Sequence, residues 1–366
     1  MQKKLIALAV AGLVSAPAFA QSNVTIYGVA DAAVGFGGHG DNDFSGVVSG
    51  VLSGSRVGFK GSEDLGNGLK AVFVLEQGFD IGNGVASPGV SSSKTVDVLD
   101  ATGTKIGTTT VADGDSVFSR QAYVGLSGAF GTVSIGRQYA PGYFFNYDAV
   151  LGASVGPQSL LSAAAGLTIT PNSPARWNNS VAYTGSFSGL TARAIYSMNA
   201  VETDPNPNDD DAYGLSLDYA NGPLSVGGVY QVVQNNAEDQ EEWGIGAGYD
   251  FGMVKLTGSY QAVDGLKFAK GAEADLWQVG VIVPVGAAGN VHLAYGEYDR
   301  DDLNDRGAES WTIAYTHALS KRTTAYVAYN STENESLTNA FGPVAGSTGD
   351  LGDDSDIFAV GIRHTF

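Results

Sequence analysis

Four arginines carry the chemistry that the residue types and spacing of this chain allow. Arg56, Arg120, Arg176 and Arg193 each fall in a stretch where apolar residues recur at every second position, the period of a strand with two unlike faces. A guanidinium is always charged and presents five donors in a planar fork, so such residues hold or steer small anions. Arg137 stands at the end of another such stretch. Facing acids are few: Asp31 shares the polar side of the first stretch with Thr25 and Tyr27, and Asp148 is the only charged residue between 139 and 175. This chemistry is electrostatic rather than covalent. The absence of Cys removes thiolate nucleophiles, disulfides and thiolate metal sites. His39, His292, His317 and His364 stand in no nucleophile, metal or phosphate motif. A triad is assembled in space rather than in sequence, yet pairing with strand or subunit neighbours is the expected role of these rings. No catalytic residue, metal ligand or cofactor is expected.

What must position these charges is a long series of short strands. The alternation recurs over residues 23–36, 51–61, 69–82, 116–127, 132–138, 176–187, 190–200, 211–219, 224–233, 243–250, 253–263, 274–285, 290–299, 309–317, 322–331 and 356–366, sixteen stretches in all. Gly accounts for 51 of 366 residues, about twice its usual share, which suits many strands joined by tight turns. Short turns such as 63–68, 128–131, 188–189, 221–223, 250–252 and 286–289 take turns with longer acidic or Ser/Thr-rich loops. Asn-Gly and Gly-rich pairs supply the positive φ that hairpins need. Residues 139–175 form the longest internal segment that does not read as a strand, and a loop of that length is either functional or disordered. Its Tyr139, Tyr143, Phe144, Phe145, Tyr147, Leu160 and Leu161 argue for packing.

The first twenty residues read as a secretory leader: Lys3 and Lys4, an apolar run to Ala16, then Ala18-Phe19-Ala20 as the cleavage pattern, leaving a mature chain from Gln21. No later stretch reaches the roughly 18 uninterrupted apolar residues of a spanning helix. Without Lys3 and Lys4 the balance is 17 basic against 38 acidic residues, 17 − 38 = −21, a poor surface for nucleic acid. The acids gather in loop-like stretches near 41–43, 97–115, 204–211, 238–242, 299–305 and 350–356. Solvated loops are the plain reading, and divalent-cation binding at one rim is the sharper one.

An exported chain of alternating strands, with short turns at one end and long loops at the other, satisfies the rule that a bilayer is crossed only by helices or closed barrels. The expected fold is all-β: a 16-stranded antiparallel transmembrane β-barrel, one domain over 21–366. Arginine against hydrocarbon costs on the order of 2–4 kcal/mol at the midplane, so the mid-strand arginines must point inward. At the C-terminus Phe358, Val360, Ile362, His364 and Phe366 share the lipid-side register, with Arg363 and Thr365 opposite. Ending on Phe366 resembles the signature that outer-membrane assembly machinery reads.

The motifs are specific enough to name a resemblance. VTIYG at 24–28, SRVGFKGSEDLGNGLKA at 55–71, SRQAYVGL at 119–126 with Phe130-Gly131, and Gly136-Arg137-Gln138 resemble the general porins of Gram-negative bacteria, particularly the Neisseria and Burkholderia type. The resemblance implies homotrimers in the outer membrane, in contact with lipid and lipopolysaccharide, that pass small hydrophilic solutes and ions by diffusion. It also implies that the third external loop, which follows the fifth strand, folds inward and narrows the channel; here that loop is 139–175. Basic residues matching Arg56, Arg120 and Arg176 would form a ladder on the opposite wall, faced by acids on the loop, of which Asp148 is the sole candidate.

With one acid on the loop the basic wall should dominate, giving a mild anion preference despite the negative total, because charge in the narrowest section sets selectivity. Asp31 is expected near that wall, and Arg137 and Arg193 elsewhere on the interior. The alternative is a solute-specific channel that uses Tyr143, Phe144, Phe145 and Tyr147 as a binding track.

Overall fold

The computed structural model describes residues 23–86, 93–99, 105–112, 117–150, 152, 154–171, 175–198, 211–336, 338, 342 and 349–366. The leader read at 1–20 and parts of the loops 81–115 and 331–354 lie outside them. In chain order the strands are β1 (Asn23–His39), β2 (Asn42–Ser49), β3 (Arg56–Gly66), β4 (Leu69–Gly78), β5 (Ser93–Leu99), β6 (Lys105–Ala112), β7 (Gln121–Gly128), β8 (Gly131–Tyr139), β9 (Arg176–Phe187), β10 (Leu190–Met198), β11 (Asp211–Asn221), β12 (Leu224–Val233), β13 (Gln240–Asp250), β14 (Lys255–Asp264), β15 (Ala274–Val285), β16 (Gly289–Arg300), β17 (Ala308–Ala318), β18 (Thr323–Asn334) and β19 (Ser355–Thr365). All but β5 and β6 join one antiparallel sheet in which β1 pairs with β19, so the sheet closes on itself. β2 lies along residues 32–39 of β1 and β3 along residues 23–29, so these two segments share one position and the seventeen segments make a barrel of sixteen.

Closure is completed by backbone bonds between the termini. The Gly28 N–H donates to the Phe366 carbonyl at 3.0 Å, and the Phe366 N–H to the Gly28 carbonyl at 3.1 Å. Gly28 must be glycine for a steric reason. A Cβ there would stand 2.4 Å from the Phe366 ring and 2.5 Å from the Arg56 carbonyl oxygen.

The strands carry opposite chemistry on their two faces. Val24, Ile26, Val34, Phe36, Phe358, Val360 and Ile362 are between 41 and 62 % exposed with no second layer over them, which is the outer surface of a barrel made for hydrocarbon. Trp243–Tyr260, Trp277–Tyr295 and Trp311–Tyr329, with centroids 5.4–5.5 Å apart, run round that surface as an aromatic belt. On the inner face Asp31, Glu76, Gln231, Glu242, Gln261, Gln278, Thr312 and Asn330 are 2 % exposed or less. Among the described residues no helix is long and apolar enough to cross a membrane.

The regular alternation is interrupted at three places. The second stretch read at 51–61 begins late: residues 50–55 leave the sheet, Val51 and Leu52 turn into a buried cluster, and the preceding strand β2, NDFSGVVS, has only three apolar residues, two of them adjacent, too little alternation to mark a strand. A hairpin, β5 with β6, stands inside the loop 81–115. Residues 139–175 hold a 3-10 turn, Pro141–Phe144, and a helix, α1 (Pro157–Ala165), with Pro at its first position and Gly166 at φ 89° just past its end.

Candidate functional site

One wall of the barrel gathers the arginines around a carboxylate. Register places Glu76 of β4 opposite Gly58 of β3 and Gln121 of β7, which brings Arg56, at the head of β3, and Arg120, just before β7, to either side of it. Glu76 Oε1 accepts from Arg120 Nε at 2.8 Å and from the Tyr139 hydroxyl at 2.7 Å; Oε2 accepts from the Tyr27 hydroxyl at 2.9 Å and lies 3.7 Å from Arg56 Nε. Arg56 is fixed from the other side by Ser53 Oγ at 3.1 Å and the Gly54 carbonyl at 2.9 Å, so the excursion at 50–55 sets its direction. Arg120 also donates to the Tyr139 hydroxyl at 2.9 Å, and Arg176, paired with Tyr139 across β8 and β9, holds its guanidinium 5.3 Å from that ring. Arg56 and Arg120 thus flank Glu76, and Arg176 stands beside them across Tyr139.

The segment after β8 is tied to interior side chains of the barrel. Gln231 accepts from the Gly142 N–H at 2.6 Å, and Glu242 accepts from the adjacent N–H groups of Thr168 and Ile169 at 2.6 and 2.8 Å. Gln278 donates to the Tyr147 carbonyl at 2.6 Å, Gln261 to the Ile169 carbonyl at 3.0 Å and Thr312 to the Val155 carbonyl at 2.5 Å. Leu160, Leu161, Ala165 and Leu167 pack with Val263, Ala274, Leu276 and Tyr298, while Val150 and Val155 join Val51, Leu52 and small residues of β16–β19 such as Ala294, Ala314, Ala328 and Ala359. Fully burying one such aliphatic side chain contributes about 1.5–3 kcal/mol. Gly152 comes so close to residues 50–55 that an added Cβ would sit 1.8 Å from the Val51 carbonyl oxygen.

Asp148 is spent within this segment. Its carboxylate accepts from the Val150 N–H at 3.0 Å and from the Gln158 N–H, in the first turn of α1, at 2.9 Å, and no salt bridge among the described residues joins it to an arginine. Burial pushes its carboxyl up to about 7, against the three backbone N–H groups that favour the charged form. Asp31 does similar work at the other excursion: Leu52 and Ser53 donate their N–H groups to it at 2.9 and 2.7 Å, and the Tyr326 hydroxyl donates at 2.6 Å. Arg137 donates to the Ser119 carbonyl at 2.9 Å and Asn178 at 2.6 Å, and Arg193 pairs with Asp218 at 2.5 Å while stacking on Phe144. The structure therefore brings Arg56, Arg120 and Arg176 together, and sets Asp148, Asp31, Arg137 and Arg193 at other tasks.

Several residues of this interior are not among those singled out from the sequence. Glu76 sits in an apolar run, FVLEQGF, where an isolated carboxylate in strand register was itself a clue that its face looks inward. Lys255, His292 and Arg363 line, with Asp148 and Tyr143, an interior cavity of about 640 Å³, and His292 is held by the Ala149 carbonyl at 2.8 Å and Thr316 at 2.9 Å. Among the described residues no three acidic or histidine groups are placed to hold a metal ion.

Comparison with known proteins decides the family. A family model described as Gram-negative porin matches residues 7–337. The chain belongs to the Gram-negative porin family. Outer membrane porin protein 32 of Delftia acidovorans is 34% identical, with 100% of each chain covered, and an outer membrane porin protein of Bordetella pertussis is 30% identical, again over 100% of each. Among solved structures, an anion-selective porin from Comamonas acidovorans superposes with a TM-score of 0.75 at 28% identity, over 94% of this chain and 100% of that one. OmpT of Vibrio cholerae, at 13% identity and TM-score 0.64, shares the fold over 94% of this chain and 98% of its own. The chain is an outer-membrane β-barrel porin, a channel for passive diffusion, and the family and fold it joins are those of channels.

Proposed function

We propose that this porin passes small hydrophilic solutes with a preference for anions, and that residues 139–175 form its constriction. The observation that carries the preference is the grouping of Arg56 and Arg120 on Glu76 with Arg176 beside them over the Tyr139 ring, while the acid of the facing segment, Asp148, is turned onto its own backbone. Fixed charge in the narrowest section sets selectivity, so a cluster of three guanidiniums favours anions there even in a strongly acidic chain. The anion-selective porin of Comamonas acidovorans supports the same direction. The constriction reading is supported by the hydrogen bonds that tie 142–169 to the inner faces of β12–β17.

The same reading gives a leader at 1–20, a single barrel domain at 21–366, a homotrimer, contacts with lipid and lipopolysaccharide, and handling of the Phe366 terminus by the assembly machinery. It assigns the chain no catalytic role. Reversal potentials in a potassium chloride gradient, for wild type beside Arg56→Ala and Arg120→Ala, test the selectivity. Chloride preference that declines in each variant is expected, and cation preference unaltered by either substitution contradicts it.

A further inference from the structure

The aromatic side chains of the segment after β8 are not used alike. Phe145 and Tyr147 are 2 and 7 % exposed and pack with Ile169 and Val229 against the barrel, whereas Phe144 is 40 % exposed, the one large apolar side chain of the described residues 139–171 left open to water. A phenyl ring facing a water-filled interior gains nothing from burial, and here it is held rigidly. Tyr139 and Tyr143 stack at 3.6 Å, both meet Phe144 edge-on at 6.0 and 5.3 Å, and the Arg193 guanidinium lies 4.3 Å from the Phe144 centroid. Phe144 also borders two interior cavities, one of about 640 Å³ with Lys255, His292 and Arg363 in its lining, the other of about 250 Å³ with Tyr139 and Arg193.

We propose that Phe144 is a stacking platform for planar organic anions, aromatic carboxylates above all, which lay their ring on it while their carboxylate reaches Lys255 or Arg363. The proposal rests on the anion-preferring channel above and gives it a solute class. Offset or edge-on contact between rings adds attraction that an aliphatic acid lacks, and the neighbouring cations supply the charge-assisted bond. Arg193, already neutralised by Asp218 at 2.5 Å, fixes the ring rather than the solute.

The test is the chloride current through single channels in a planar bilayer, titrated with benzoate and in parallel with acetate. Wild type is expected to show saturable reduction of the current by benzoate and little by acetate. Phe144→Ala should raise the half-blocking benzoate concentration by roughly five- to tenfold, and Phe144→Tyr should restore it. Chloride-over-potassium preference, measured separately by reversal potential, should be the same in all three, which separates this proposal from the anion reading beneath it. Equal block by acetate and benzoate overturns the platform, as does unaltered benzoate block in Phe144→Ala.

Discussion

Glu76 decides how strongly the arginine wall acts. It shares its two oxygens among Arg120, Arg56, Tyr27 and Tyr139, so removing its charge while keeping its shape uncovers the guanidiniums without emptying the site. Glu76→Gln is expected to raise the chloride-over-potassium permeability ratio by about twofold, read as a larger reversal potential. An unchanged potential would mean that the field is set elsewhere. Asp148 makes a different prediction, through pH. Its carboxyl moves from 3.8 to about 7, so the folded segment holds a proton that the unfolded chain has released between those values. The contribution to docking is therefore complete below pH 4 and is lost as pH rises through 7, a change of about a few kcal/mol at the limit. Hydrogen exchange of residues 148–165 should speed up from about pH 5 to about pH 8 beyond the intrinsic rate, and Asp148→Asn should remove that excess; identical slopes in both proteins contradict the assignment.

At the scale of elements, two excursions are fastened to side chains of the strands: residues 50–55 by Asp31, and the segment after β8 by Glu242, Gln231 and Gln278. They meet where Gly152, at φ 117°, faces the Val51 carbonyl. Gly152→Ala meets both a hostile backbone conformation and a clash, and is expected to loosen the segment by about 1–3 kcal/mol, seen as noisier single-channel current with the barrel intact. A quiet current at wild-type conductance would show that this contact is dispensable. The strands were legible in sequence because burial against lipid imposes strict period two, and every one of the sixteen stretches read there has its strand. The excursion at 50–55 was not, because Val51 and Leu52 are apolar in a strand-like rhythm yet are buried by turning inward. The helix α1 was within reach: Pro157 and Gly166 bracket Leu160 and Leu161 as start and stop signals do.

For the whole molecule, net charge and local charge point in opposite directions. The sequence totals −19, and its acids gather in loops, whereas the interior groups Arg56 and Arg120 on Glu76, with Arg176 beside them over Tyr139. The wall was legible because its arginines fall in alternating stretches where a charge cannot face lipid, although Arg56 and Arg176 open their strands and Arg120 precedes β7; its compensation was not, because Glu76 and the tyrosines come from strands far apart in sequence. Acidic loops attract cations over about 10 Å at 0.1 M salt and over much less at 1 M, so the anion preference should grow with ionic strength as the outer charges are screened. The most direct test of an anion-preferring interior is the reversal potential of the reconstituted porin in a roughly tenfold potassium chloride gradient. A sign set by chloride in wild type is expected, with the magnitude reduced in Arg56→Ala and Arg120→Ala; a sign set by potassium, unmoved by either substitution, would contradict it.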